Sequence, residues 1–385
     1  MKGRSKSRFE VPEALTLEIL LKLPIKSLAR FNCVCKSWCS SFRTLYFSSK
    51  HYHNNLKSSN LNVLFQHRYG NTLYFSQLST GKDENSLVTH NICLPFFENC
   101  VYHPQVYGPC NGLLCLYDHG DGKAALWNPS TGEFKILPRS SSRRPPFPGY
   151  TSFKCVGFGY DSKTDDYKVI HFITLVYIDN EFMYPHEFRS RVELYSLRSD
   201  SWKEISSVPK ACPFSNYLCS ICIDGICYWE AMTEYHRDNL ILSFDMVSET
   251  FSTLHFPDFG GSLEQYNVQL LEFNGSLGVI VHPRLETEKS FDLWVMNGAW
   301  TKQFSIESIS GVKKLLGFWK NGELFYRGSS DELLLFEPST QELKKLGINA
   351  YPDATCLVAY VESLVPINGR SEHDEHITHQ SVRDA

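Results

Sequence analysis

The chain has 385 residues, 42% hydrophobic and 21% charged, enough to bury a sizeable core and to form two or three domains at the usual ~100–200 residues each. Its net charge of −4 argues against a general nucleic-acid binder, which needs a basic surface. No run approaches the ~18 apolar residues of a membrane span, and the polar lead Met1–Arg8 has no apolar core behind it, so a soluble cytoplasmic or nuclear protein is expected, with neither membrane nor nucleic acid as partner.

Residues 1–10 are a basic lead, expected to be disordered. Val11-Pro12-Glu13 then opens a helix, because an early proline and an acid in the first turn both suit a helix N-terminus. Leu15, Ile19 and Leu23 recur every fourth residue, and Leu20 widens that stripe until Pro24 halts it. Lys26–Phe31 begins a second helix, and Val34, Cys35 and Trp38 lead into a third. Three short helices in ~35 residues cannot bury their apolar faces alone. The unit over 11–50 therefore needs a partner, either the rest of the chain or another protein. Cys33, Cys35 and Cys39 read as core filler within it, and the odd total of thirteen cysteines reads as free thiols.

From residue 51 the helical period gives way to short apolar-aromatic runs punctuated by Gly, Asn, Asp and Pro. Five hairpin-like segments align on Trp127, Tyr195, Phe244, Trp294 and Phe336. Seven residues after the first, second, third and fifth anchors stand Phe134, Trp202, Phe251 and Leu343; in the fourth, Trp300 comes after six. Ten residues after the anchors stand Leu137, Ile205, Leu254, Phe304 and Leu346. The +7 and +10 positions differ in parity, which predicts a bulge or a strand end between them. Upstream, Asn111-Gly112, Asp224-Gly225, Asn274-Gly275 and Asn321-Gly322 each open another strand.

The anchors lie 68, 49, 50 and 42 residues apart, near the ~40–50 of a four-stranded propeller blade, and Leu73–Gly81 supplies a degenerate first copy. The predicted fold is mainly β: a small three-helix unit, then a kelch-like propeller of about six blades over 51–367. An open sandwich or irregular wheel is the alternative. The run Cys356–Val365 is placed to pair with the first blade and close the ring, which would leave no long sheet edge. The 68-residue gap predicts an insertion near 177–189. The tail 368–385 is polar and expected to be disordered.

Charge is uneven along the chain. Residues 1–50 carry a net +7 and residues 155–265 a net −9, which is either a solvated surface or an acidic face that steers a basic partner. Chemistry-bearing motifs are missing: there is no GxSxG, HExxH or GxxxxGK[ST], and the single Cys219/Cys222 pair has no second pair at finger spacing. No catalytic residue, metal or cofactor is predicted.

The stretch 11–41, VPEALTLEILLKLPIKSLARFNCVCKSWCSS, resembles an F-box in its Pro-Glu opening, Leu23-Pro24 break, Lys-Ser-Leu-x-Arg-Phe run and Val-Cys-Lys-x-Trp ending. Val11 stands where leucine is usual, and Ala14 where an acid is common. The phrases at 108–113, 127–131, 157–161 and 166–169 resemble plant F-box-associated, kelch-like domains, and over the whole chain pollen S-locus F-box proteins are similar. The resemblance implies a non-catalytic substrate receptor of a cullin–RING (SCF) ubiquitin ligase. Pro12, Leu15, Ile19, Leu20, Leu23, Pro24, Leu28, Phe31, Val34 and Trp38 would dock on a Skp-type adaptor, which brings the cullin and RING subunits. In S-locus proteins the targets are S-RNases, basic secreted ribonucleases met in the pollen-tube cytosol. Asp179, Glu181, Glu187, Glu234 and Asp238 are the acidic candidates for holding such a target. An F-box receptor for another plant target, or a ligase-independent propeller scaffold or enzyme, remains the alternative.

Overall fold

The runs between the Gly, Asn and Pro turns form four-stranded antiparallel sheets. The computed structural model describes residues 11–57, 61–69, 72–80, 87–94, 97, 104–140, 150–177, 188–213, 220–233, 239–284, 290–307, 309–318, 323–350 and 356–368. Blade 1 holds the strands Leu61–Tyr69, Thr72–Thr80 and Leu87–Cys93. Blade 2 holds Gln105–Cys110, Leu113–Tyr117, Ala124–Trp127 and Phe134–Ile136. Blade 3 holds Tyr150–Asp161, Asp166–Tyr177, Phe188–Ser196 and Ser201–Ile205. In blade 4 two short pieces, Ala211–Pro213 and Ile221–Ile223, share the innermost place beside Ile226–Thr233, with Asn239–Asp245 and Thr250–Leu254 outside. Blade 5 holds Tyr266–Phe273, Ser276–Pro283, Phe291–Asn297 and Ala299–Ile306. Blade 6 holds Val312–Phe318, Leu324–Gly328, Glu332–Glu337 and Glu342–Asn349.

The late strand Cys356–Val361 returns to blade 1, setting Leu61 opposite Val361 and Gln66 opposite Cys356. The ring is closed in this way by its two chain ends. Six apolar cores lie between successive blades. That between blades 6 and 1 joins Phe325 and Leu333 to Val63, Phe65 and Leu78, completing the circle. Each sheet is packed on both faces, which is why Leu113–Tyr117 and Ala124–Trp127 are buried at every position instead of alternating.

Double-sided packing accounts for part of the parity difference. The +7 residue sits directly opposite its anchor: Phe134 on Trp127, Trp202 on Tyr195, Phe251 on Phe244 and Leu343 on Phe336. Trp202 packs into the core shared with blade 2, whereas Ile205, three residues on in the same strand, packs into the core shared with blade 4. In the second and third copies no bulge separates them, and opposite parity serves opposite neighbours. In the others the expected break is present: Leu137 lies just past the end of the strand Phe134–Ile136, the fourth copy shifts register between Leu293 and Trp294 so that Trp300 faces Met296, and the fifth shifts between Glu332 and Leu334. The turns Asn111-Gly112, Asp224-Gly225 and Asn274-Gly275 have both residues at positive φ, as two-residue hairpins require; Asn321-Gly322 lies outside the described residues. Part of the extra length of blade 3 is taken up as strand, since Tyr150–Asp161 and Asp166–Tyr177 are each 12 residues and pair throughout.

The helical unit has four helices, not three: α1 Glu13–Leu20, α2 Ile25–Phe31, α3 Lys36–Phe42 and α4 Leu45–Lys57. The last runs past residue 50, where strands were expected to begin. Its sequence, rich in Ser, His and Asn, has weak helix propensity. What holds it is burial of Phe47, Ser48 and His51 against the other helices and the ring. Leu61 pairs with Val361, so the helices enter the ring and its last strand leaves it at the same end. The strands Asp166–Tyr177 and Asn239–Asp245 meet their neighbouring connections, 178–187 and 234–238, at the other end.

Candidate functional site

The helical unit is built around a small core. Leu20, Leu21, Leu28, Phe42 and Phe47 are buried together, with Leu17, Leu23, Phe31 and Trp38 partly buried against them. Pro12 and Pro24 occupy the N-cap positions of α1 and α2 with extended ψ angles and no side-chain cap; proline has no N–H to leave unsatisfied there. Cys35 caps α3, its sulfur accepting the Trp38 N–H at 3.4 Å, and Thr44 Oγ1 accepts the Phe47 N–H at 3.3 Å at the head of α4. The His51 ring donates from Nε2 to the Leu23 carbonyl at 2.9 Å, tying α4 to the break after α1, and burial lowers the pKa of that imidazole.

The ten docking residues proposed from the sequence separate by position. Pro12, Leu15, Ile19, Pro24 and Val34 are exposed; Leu23, Phe31 and Trp38 are half-buried, the last two with ring centroids 5.6 Å apart. Leu20 (4% exposed) and Leu28 (0%) must be corrected: they are spent on the unit's own core and have no surface left for a partner. The stripe of Leu15, Ile19, Leu20 and Leu23 divides between the two sides of α1 and the break that follows it. Leu17, Leu20 and Leu21 point inward, while Leu15 (57% exposed) and Ile19 (56%) point out. Val11, just ahead of the N-cap Pro12, is another exposed apolar side chain, at 58%, that the docking set left out. Val34 adds a further exposed apolar side chain at 61%. Cys33 and Cys35 are exposed, so they are not core filler.

An outward row of aliphatic side chains on a small helical unit is costly in water. Full burial of one such side chain is worth about 1.5–3 kcal/mol, and a partner that covers the row recovers that energy. Basic residues rim the unit, which carries a net +5 over 11–57. One of them, Lys50, pairs with Glu18 at 2.7 Å and lies over the Tyr46 ring.

On the ring, Asp179, Glu181, Glu187, Glu234 and Asp238 all lie outside the described residues. The described carboxylates of the acidic stretch are largely engaged within the ring. Lys168 (7% exposed) donates to Asp161 Oδ2 at 2.7 Å, Met246 O at 2.8 Å and Glu249 Oε1 at 3.0 Å, stitching blade 3 to blade 4. Burial pushes the Asp161 carboxyl up, but Lys168, Thr164 and two backbone N–H groups outweigh it and bring its pKa to about 2. Asp200 accepts from Tyr195 and pairs with Lys135, and Arg191 pairs with Glu193 and Glu204. These carboxylates are spent inside the ring, but apart from Lys135 their partners belong to the same stretch, so the pairs leave its net negative charge nearly unchanged. A groove of about 460 Å3 between blades 2 and 3, lined by Arg139, Arg191, Glu193, Trp202 and Lys203 among others, is walled by such pairs. Among the described residues no three His, Cys, Asp or Glu side chains gather as a metal site.

An F-box domain matches residues 9–50, and an F-box associated beta propeller domain matches residues 61–360. The chain belongs to the F-box proteins that carry this propeller. An F-box/kelch-repeat protein of Arabidopsis thaliana, At3g23880, is 28% identical over 323 residues, covering 79% of this chain and 81% of its own. F-box/WD-40 repeat-containing protein 1 of the same plant is 28% identical over 313 residues, covering 77% and 68%. F-box protein CPR1, also from Arabidopsis thaliana, is 26% identical over 378 residues, covering 92% and 88%. In this F-box protein the exposed aliphatic row falls inside the F-box match, and the closing strand ends at the last residues of the propeller match.

Proposed function

We propose that this F-box protein is the non-catalytic substrate receptor of a cullin–RING ubiquitin ligase. The observation that carries the reading is the exposed row Leu15 and Ile19, with Val11 and Val34, on a helical unit that matches an F-box domain. A Skp-type adaptor covers that row and brings the cullin and RING subunits. The ring holds the target at the end away from the helices, where the connections 178–187 and 234–238 leave it. Ubiquitin transfer is then promoted by proximity, by raising the local concentration of target lysines, with no reacting side chain supplied here. For the target we infer a basic protein of the S-RNase type, met in the cytosol. Support comes from the S-locus resemblance and from the acids Asp179, Glu181, Glu187, Glu234 and Asp238 in those connections, not from the carboxylates already paired inside the ring.

The test is co-expression with a Skp-type adaptor. The wild type should co-purify with it, while Leu15→Asp combined with Ile19→Asp should lose the adaptor and keep its fold, both side chains being more than half exposed. A wild-type chain that stays monomeric in the presence of adaptor would overturn the reading. For the target, binding to a basic ribonuclease should weaken with salt and with Asp179→Lys plus Glu181→Lys; salt-insensitive binding removes the acidic-face part.

A further inference from the structure

The residues after the closing strand, 362–368, run as an extended strap between the helices and the ring. Successive side chains of an extended segment point to opposite sides. Ser363 (0% exposed), Val365 (5%) and Ile367 (2%) turn to the ring, where Val365 and Ile367 enter the core between blades 2 and 3. Leu364 turns the other way and packs against the helical core of Leu20, Leu21, Leu28, Phe42 and Phe47. Glu362 lies within reach of Lys26 on α2.

The ring side is held chiefly from the blade-2 turn, with Asn128 at its centre. Asn128, fully buried in the turn of blade 2, donates from Nδ2 to both the Ser363 and Val365 carbonyls at 3.0 Å. Its Oδ1 accepts the Ser130 N–H at 2.9 Å and the Thr131 N–H at 3.4 Å, so both ends of the amide are used. Around it, Ser130 Oγ accepts the Ser363 N–H at 3.1 Å and Glu133 Oε2 accepts the Ile367 N–H at 3.0 Å. A Cβ on Gly112 would stand 2.4 Å from Ser363 Cβ and 2.7 Å from the Val361 carbonyl, so the strap lies directly on the blade-2 hairpin.

The covalent link between the helices and the ring is residues 58–60, and α4 also touches the closing strand Cys356–Val361. Leu364, packed on the helical core itself, adds an attachment through the chain's other end and restricts how the helices can turn on the ring. We propose that the strap 362–368 fixes the direction of the F-box helices relative to the ring, with Asn128 as its clasp. The consequence for target reach rests on the ligase reading; the coupling itself does not. Transfer by proximity falls off when the mount is loose, because the orientation of target lysines then spreads. Asn128 is in this sense a positioning residue.

The test uses the full chain, labelled with two fluorophores on genetically encoded handles at the exposed Ser40 in α3 and Lys344 in blade 6, and single-molecule energy transfer as the readout. Asn128→Asp keeps the turn acceptor but sets an oxygen against two carbonyls. Leu364→Ser alters only the helix-facing side, so it carries the test if the first variant fails to fold. Wild type should give one narrow distance; each folded variant should give a broad one, with amide exchange at Ser363 and Val365 about tenfold faster, which corresponds to about 1.4 kcal/mol. A narrow distance retained by Leu364→Ser, or a lowered melting temperature without broadening, overturns the proposal. Repeating the measurement with the adaptor separates the two readings: failure of the wild type to bind adaptor would count against the ligase and leave the strap result standing.

Discussion

The helical unit and the ring solve the same problem, hiding apolar surface, in opposite ways. In the ring each sheet is flanked by two others, so both faces of the inner strands are consumed, and the last strand fills the innermost place of blade 1. In the helical unit α1–α3 are seven or eight residues long, and their inward side chains suffice for one small core. The remainder, Val11, Leu15, Ile19 and Val34, is left in water. The ring is complete without company, whereas the helices need α4 and Leu364 on one side and a partner on the other. Apolar side chains in the ring therefore report on stability, and those on the outer face of α1 report on binding.

The largest effect expected is from Leu28→Asp, which sets a carboxylate at a fully buried site and should cost more than about 4 kcal/mol. Far-UV circular dichroism should lose helix while the β signal of the ring stays. Simultaneous loss of both would break the contrast between a dependent unit and a self-sufficient ring. Next comes Lys168→Met, which strands Asp161 and should cost about 3–5 kcal/mol by urea unfolding. The same pair sets an acid limit. The carboxyl of Asp161 sits near pKa 2 in the folded chain, below its ordinary value, so its stabilisation is full above the ordinary carboxylate range and drains away as pH falls toward about 2. In Lys168→Met the loss should set in at higher pH; an unchanged acid limb would show that blades 3 and 4 do not depend on this link. Thr44→Ala, which removes the cap of α4, should cost about 1 kcal/mol in thermal unfolding. Smallest in stability is the pair Leu15→Asp and Ile19→Asp, expected within about 0.5 kcal/mol of wild type although adaptor binding is lost. A large destabilisation there would mean that the row belongs to the core after all.

Much of the architecture was legible because each blade repeats the same local problem. An aromatic anchor, a polar turn and a second apolar residue seven positions later define a hairpin whatever surrounds it, and the anchor spacing set the blade count. The closing role of the run Cys356–Val365 was legible too, because an apolar run after the last hairpin has nowhere else to pair, although only Cys356–Val361 of it joins blade 1. Three things were not. α4 has a polar sequence and is held by tertiary packing. The division of the docking set was another, since apolar spacing does not say that Leu20 and Leu28 are core while Leu15 and Ile19 face solvent. Which carboxylates of 155–265 are spent inside the ring was the third, because charge counted along a chain does not reveal that Lys168 meets Asp161 and Glu249.

The sequence by itself determined the family, the hairpins, the number of blades and the place where an F-box begins, because those depend on short-range spacing and turn chemistry. Only the tertiary structure decided which leucines are core and which are free, where the carboxylates are spent, and that Asn128 meets residues 363 and 365 from more than two hundred positions away. Ring closure is the physical reason: it brings the chain's end back onto blade 2, a neighbourhood that local pattern does not encode.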